Sequence, residues 1–100
     1  MNTIGKGYRV EKRCADDLKA QGYLIWKTVR VAYCKLDLFG LFDVVALHGQ
    51  GEHVLFIQAK TNRVDNETRD RIRALRIPAG CQKWIWIWKD RRGWVKEFYE

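Results

Sequence analysis

Residues 41–60 read LFDVVALHGQGEHVLFIQAK. Two apolar runs, 41–47 and 54–60, are rich in β-branched and aromatic residues and read as strands. The segment between them, His48 to His53, carries two glycines and polar residues, which predicts a turn and so a hairpin. Both runs are apolar almost without alternation, as expected of strands covered on both faces at the centre of a sheet. His48 and His53 read as loop residues.

Working outward, residues 7–21 read as a helix whose apolar stripe is Val10, Cys14, Ala15 and Leu18, stopped by Gly22. Residues 23–33, YLIWKTVRVAY, read as a strand. Residues 65–76 read as a second helix, capped by Asp65 or Asn66, with Ile72 and Leu75 facing inward and Pro78 and Gly80 ending it. Residues 83–89 and 94–99 read as two further strands joined by a turn at Asp90 to Gly93. The order is α-β-β-β-α-β-β: one α/β domain over residues 1–100, a central mixed sheet flanked by helices.

The 100 residues are 47% hydrophobic and carry a net charge of +7, so the chain reads as globular and suited to polyanionic partners. No apolar run approaches the roughly 20 residues of a membrane-spanning helix, and residues 1–13 have no signal-peptide pattern. Nucleic acid is therefore the favoured partner and a membrane is not. Cys14, Cys34 and Cys81 are odd in number and show no CxxC or Cys/His spacing. The expectation is three buried thiols in a reducing cytoplasm, with neither a zinc site nor a disulfide framework.

Three positions break the pattern of the elements that hold them. Glu11 lies on the apolar stripe of the first helix, where a carboxylate is costly unless paired or metal-bound, or else marks an acid near the positive helix end. Asp43 interrupts LFxVVAL, on a face with Leu41, Val45 and Leu47, where the alternatives are a bulge or an ion pair with a buried arginine. Gln58 and Lys60 end an apolar strand on one face, about 7 Å apart, with Ala59 pointing the other way. Hairpin strands lie about 5 Å apart, so Asp43 is expected to approach Gln58 or Lys60. A helix packed on that face would bring Glu11 to the same place. Oxygen ligands converging there suit a hard cation such as Mg²⁺, and a lysine beside it suits a phosphate.

Lys6-Gly7-x-x-x-Glu11-Lys12-Arg13, then Asp43-Val44-Val45-Ala46, then Gln58-Ala59-Lys60 resembles the PD-(D/E)xK nuclease superfamily. Within it, the start looks most like the archaeal-type Holliday junction resolvases and their phage relatives. The resemblance spans roughly residues 5 to 80. It implies a restriction-endonuclease-like fold, Mg²⁺-dependent phosphodiester hydrolysis, and a homodimer that nicks a four-way DNA junction in pairs, in DNA recombination and repair. Glu11 matches the family's helix glutamate, Asp43 its metal-binding aspartate and Lys60 its catalytic lysine. Phe42 stands where many members have proline. Gln58 stands where most have a second acid; its carbonyl still offers a ligand but no charge, and Asp37 or Glu52 are candidates to compensate.

The expected centre has Glu11, Asp43, the Gln58 side-chain oxygen and the Ala59 carbonyl holding Mg²⁺, with Mn²⁺ able to substitute, while Lys60 orients the attacking water or stabilises developing charge. Lys6, Arg9, Lys12, Arg13, Arg63 and Arg69 are the candidate DNA contacts, with Arg71, Arg73 and Arg76 beside them; Arg71 and Arg73 fit a solvated helix face equally well. Trp84, Trp86 and Trp88 read first as a core-facing stripe, second as a dimer interface and third as a base-stacking surface. The location expected is cytoplasmic, at the nucleoid or in a phage-infected host. The competing readings are a sequence-specific restriction or repair nuclease of the same fold, and a basic DNA-binding module that has lost catalysis at Gln58.

Overall fold

A computed structural model describes the backbone of residues 3–31, 34–36 and 38–100 and the side chains of residues 9–28 and 38–100. The order is α1 (Thr3–Ala20), β1 (Leu24–Lys27), β2 (Val29–Val31), β3 (Cys34–Leu36), β4 (Val44–Leu47), β5 (Val54–Thr61), α2 (Asn66–Ala74), β6 (Cys81–Lys89) and β7 (Gly93–Tyr99). Five strands form one mixed sheet in the order β1-β4-β5-β6-β7, and β2 pairs with β3 alone. Among the described residues only β5 and β6 run parallel, joined by the crossover through α2. β5 sits at the centre, as its unbroken apolar run requires.

The chain's own chemistry sets the helix ends. Gly22, at φ 93, donates to Lys19 O while Tyr23 N donates to Leu18 O, a Schellman ending for α1. Asp65 Oδ1 accepts from Thr68 N at 2.8 Å and caps α2. The far end of α2 is held from outside. Lys83 Nζ, on β6, donates to Ile72 O at 2.6 Å and to Leu75 O at 2.7 Å. Lys83 is 2% exposed, and α2 ends at Ala74 rather than running to residue 76.

Two cores lie on opposite faces of the sheet. On one, α1 packs Val10, Cys14 and Leu18 against Val44, Ala46, Ile57, Ala59 and Trp86. On the other, α2 packs Ile72 against Ile85 and Ile87, joined by Leu41, Phe42 and Val64. Fully burying one such side chain contributes about 1.5–3 kcal/mol. Trp86 belongs to the α1 core, and Trp86 and Trp88 both pack edge-on against Trp94. The tryptophan stripe therefore faces inward.

The structure corrects four expectations. α1 begins at Thr3, four residues before the expected start. The strand expected over 23–33 breaks at Thr28: β1 follows β4 as far as Thr28 N, which donates to Asp43 O, and β2 then turns to β3, an element the sequence reading missed. The strand expected over 41–47 begins at Val44. Before it, Leu41 N and Phe42 N both donate to Leu38 O in a tight turn, with Gly40 at φ 68. Cys14 is buried, Cys81 is only half-buried, and the Cys34 side chain lies outside the described residues.

Candidate active site

Asp43 stands where β4 begins, fully buried. Its backbone N donates to Ile57 O at 2.9 Å, although Ile57 is the partner of Val44. Two residues thus oppose one, a β-bulge, which breaks the alternation that placed Asp43 with Val45 and Leu47. Val45 is half-buried and Leu47 exposed, unlike Asp43. Asp43 Oδ2 accepts from Ala59 N at 3.0 Å. The carboxylate occupies the place a backbone carbonyl would hold had the ladder continued. A strand residue presents its N–H and C=O to the same neighbour, so the Ala59 carbonyl also faces the Asp43 side.

Glu11 reaches the same region from α1 and is 1% exposed. Val10 and Cys14 of the same helix pack on Val44 and Ala59, the neighbours of Asp43 in β4 and β5. Burial pushes the pKa of Cys14 strongly up, and the carboxylates of Asp17, Asp43 and Glu11 all push it further. Two buried carboxylates and a backbone carbonyl are hard oxygen donors, and a divalent cation held by them would offset their charge. The donor set therefore fits Mg²⁺, which is commonly held by one or two carboxylates with water and phosphate completing the shell. Among the described residues, no group of three His, Cys, Asp or Glu side chains is placed to hold a metal.

Gln58 and Lys60 flank Ala59 and lie on the other face of β5. Gln58 lies in register with Ile85 and Lys60 with Ile87, both of the α2 core. The helix bearing Glu11 packs on the opposite face, with Ile57 and Ala59. The expectation that α1 would cover the Gln58–Lys60 face is thus corrected, because the residues on the stripe of α1 match the other set of the alternating strand. Gln58 is 5% exposed. Lys60 lines an open groove of about 540 Å³ with Arg63, Val64, Asp65, Asn66 and Arg69. Its charge helps hold the Asp65 carboxyl below the usual range, after the larger effect of the hydrogen bonds with Thr68. Glu52 is exposed in the turn at the far end of β4, about 13 Å along the strand from Asp43, and is not placed to compensate. Asp37 lies outside the described residues.

The basic candidates divide between two grooves. On the α1 face, Arg9 and Arg13 line a pocket of about 270 Å³ with Val10, Thr61, Trp88 and Asp90. On the α2 face, Arg63 is exposed in the Lys60 groove, whereas Arg69 is committed to Glu97 through two bonds of 3.1 and 3.0 Å. Lys12 is exposed and paired with Asp16 at 2.7 Å. The Lys6 side chain lies outside the described residues.

The sequence reading missed the clasp that closes the carboxyl ends of β5 and β6. Asn62, at φ 65, donates through Nδ2 to Asp90 Oδ2 at 3.1 Å, and its Oδ1 accepts from Asp90 N at 3.1 Å. Lys89 Nζ donates to Asn62 O. An asparagine directly after a strand was the available signal, since it tolerates positive φ. No helix among the described residues is long and apolar enough to cross a membrane. Comparisons with protein-family models, with curated proteins and with solved structures find no match to this chain.

Proposed function

We propose that this protein is a Mg²⁺-dependent, structure-selective DNA endonuclease that acts on four-way junctions as a homodimer, each protomer making one nick. One observation carries the reading: the buried Asp43 carboxylate accepts from the Ala59 amide at the end of β5, Glu11 is buried on the helix that packs on that face, and basic grooves lie on both faces of the sheet. The resemblance of the same residues to the PD-(D/E)xK pattern supports it.

Glu11, Asp43 and the Ala59 carbonyl would hold the metal. Bound there, Mg²⁺ supplies a Lewis acid and a water of lowered pKa. The Asp43 carboxylate is oriented by the Ala59 amide, so its second oxygen is fixed without further ordering. Lys60 and Arg63 bind phosphate on the α2 face, and Arg9 and Arg13 bind the neighbouring backbone on the α1 face. Such contacts position a strand and read little sequence, which suits a branched substrate. Gln58, which carries no charge and lies on the Lys60 face, favours a second reading: a basic DNA-binding module without catalysis.

The test uses a labelled four-way junction and a linear duplex of the same sequence, each with Mg²⁺ or chelator. Paired cuts in the junction alone, with Mg²⁺ alone, are expected. Cuts at a fixed sequence in the duplex would favour a restriction-type enzyme, and tight binding without cuts the non-catalytic module.

A further inference from the structure

We infer that the pocket between α1 and the β5–β6 end receives an unstacked nucleobase beside the bound phosphate, a deeper reading of the DNA-binding surface that rests on the proposed function. The pocket lies beside the candidate centre, since Val10 of its wall precedes Glu11 on α1 and Thr61 stands two residues beyond Ala59 on the same face of β5. Its floor is a stack: the Arg13 guanidinium lies 3.9 Å over the Trp88 ring. Trp88 is held edge-on by Trp94, with centroids 5.2 Å apart and planes at 79°. Arg13 is exposed and lines the pocket. Planar guanidinium on indole is a surface on which a base stacks, and such recognition is typical of unpaired nucleotides.

The rim distinguishes a base from a phosphate. Asp90 lines the pocket, and the reciprocal bonds with Asn62 fix its carboxylate there. A carboxylate repels a phosphate but accepts from the amino and imino hydrogens of a base edge. Arg9, also on the rim, supplies the charge for the adjoining phosphate. The pocket wall thus carries a stacking platform, an acceptor and a cation, the three contacts that one splayed nucleotide uses. An enzyme that acts where strands exchange would gain selectivity from this pocket, because a base at a branch point unstacks at lower cost than one in continuous duplex.

The test measures binding in chelator, so that it does not depend on cutting. Three DNAs are compared: a linear duplex, the same duplex with one extrahelical cytosine, and the same with an abasic residue at that place. The wild type is expected to bind the cytosine bulge about tenfold more tightly than the abasic bulge, the scale of one stacked base. Arg13→Lys, which keeps the charge and removes the plane, is expected to bring that ratio close to one. Equal binding of the cytosine and abasic bulges by the wild type, or an undiminished ratio in Arg13→Lys, would overturn the inference and leave the nuclease reading intact. Absence of cutting with the ratio preserved would do the reverse.

Discussion

The Asp43 carboxylate accepts the Ala59 amide at 3.0 Å, joining the start of β4 to the end of β5. A side chain thereby completes a ladder that the backbone abandons at the turn before Val44. The bond fixes Asp43 at the exit of the parallel β5–β6 pair. Ligands commonly bind beyond the carboxyl ends of parallel strands. It also explains why an acid is tolerated there fully buried: one oxygen answers a buried N–H that would otherwise cost about 1–3 kcal/mol.

Asp43→Asn separates the two roles. The amide oxygen still accepts from Ala59 N, so melting temperature is expected to stay near that of the wild type. Loss of the charge is expected to slow Mg²⁺-dependent junction cutting by about 10²-fold, or some 3 kcal/mol of transition-state stabilisation. Asp43→Ala loses both and is expected to unfold more readily by about 1–3 kcal/mol. Single-turnover cleavage and thermal melts check this; wild-type cutting by Asp43→Asn would remove Asp43 from the centre.

Arg9 and Arg63 stand on different faces but are assigned the same DNA. Each replacement by alanine is expected to weaken binding and to reduce the slope of log affinity against log salt by about one. The double variant should lose both increments. Fluorescence anisotropy over a salt series measures the slopes, and an unchanged slope in either variant would take that groove out of the binding surface.

Glu97 and Arg69 tie β7 to α2. The hydrogen bonds from Arg69 hold the Glu97 carboxyl below its ordinary 4.5. The folded value is the lower one, so the pair's contribution is complete above pH 4.5 and is lost as pH falls through the folded value. The side chains are 26% and 29% exposed, which limits the contribution to about 0.5–1 kcal/mol. Melting of Glu97→Gln should therefore lie below wild type at pH 7, with the gap closing in acid. A gap independent of pH would contradict the assignment.

Lys83 acts as a C-cap supplied by another element. Lys83→Met keeps the apolar stem and removes the donor from the Ile72 and Leu75 carbonyls. A loss of about 2 kcal/mol in denaturant unfolding is expected. Hydrogen exchange should loosen first in the last turn of α2; an unchanged midpoint would show that water replaces the ammonium without cost.

Much of the fold is legible in local chemistry. The Gly-containing turn at 48–53, the central β5, the Asp65 cap and the Gly22 stop all follow from residues acting on near neighbours. What was not legible depends on distant partners. The break at Thr28 arises because β4 begins only after Asp43, and propensity within YLIWKTVRVAY carries no trace of that. The early end of α2 comes from Lys83, which reads locally as a polar residue at a strand start. The same limit divides the candidate site. Alternation puts Gln58 and Lys60 on one face, but the face chosen by α1 is that of Ile57 and Ala59, so Glu11 approaches the sheet from the side opposite Gln58 and Lys60.

The central claim is that Glu11 and Asp43 hold the ion on which junction cutting depends. Its most direct test is the rate of four-way junction cleavage against Mg²⁺ concentration for wild type and Glu11→Gln. The account predicts no cutting in chelator, saturation with Mg²⁺ in the wild type, and a curve shifted to at least tenfold higher Mg²⁺ in Glu11→Gln, about 1.4 kcal/mol of metal affinity. Cutting that persists in chelator, or superimposable Mg²⁺ curves for the two proteins, would contradict it.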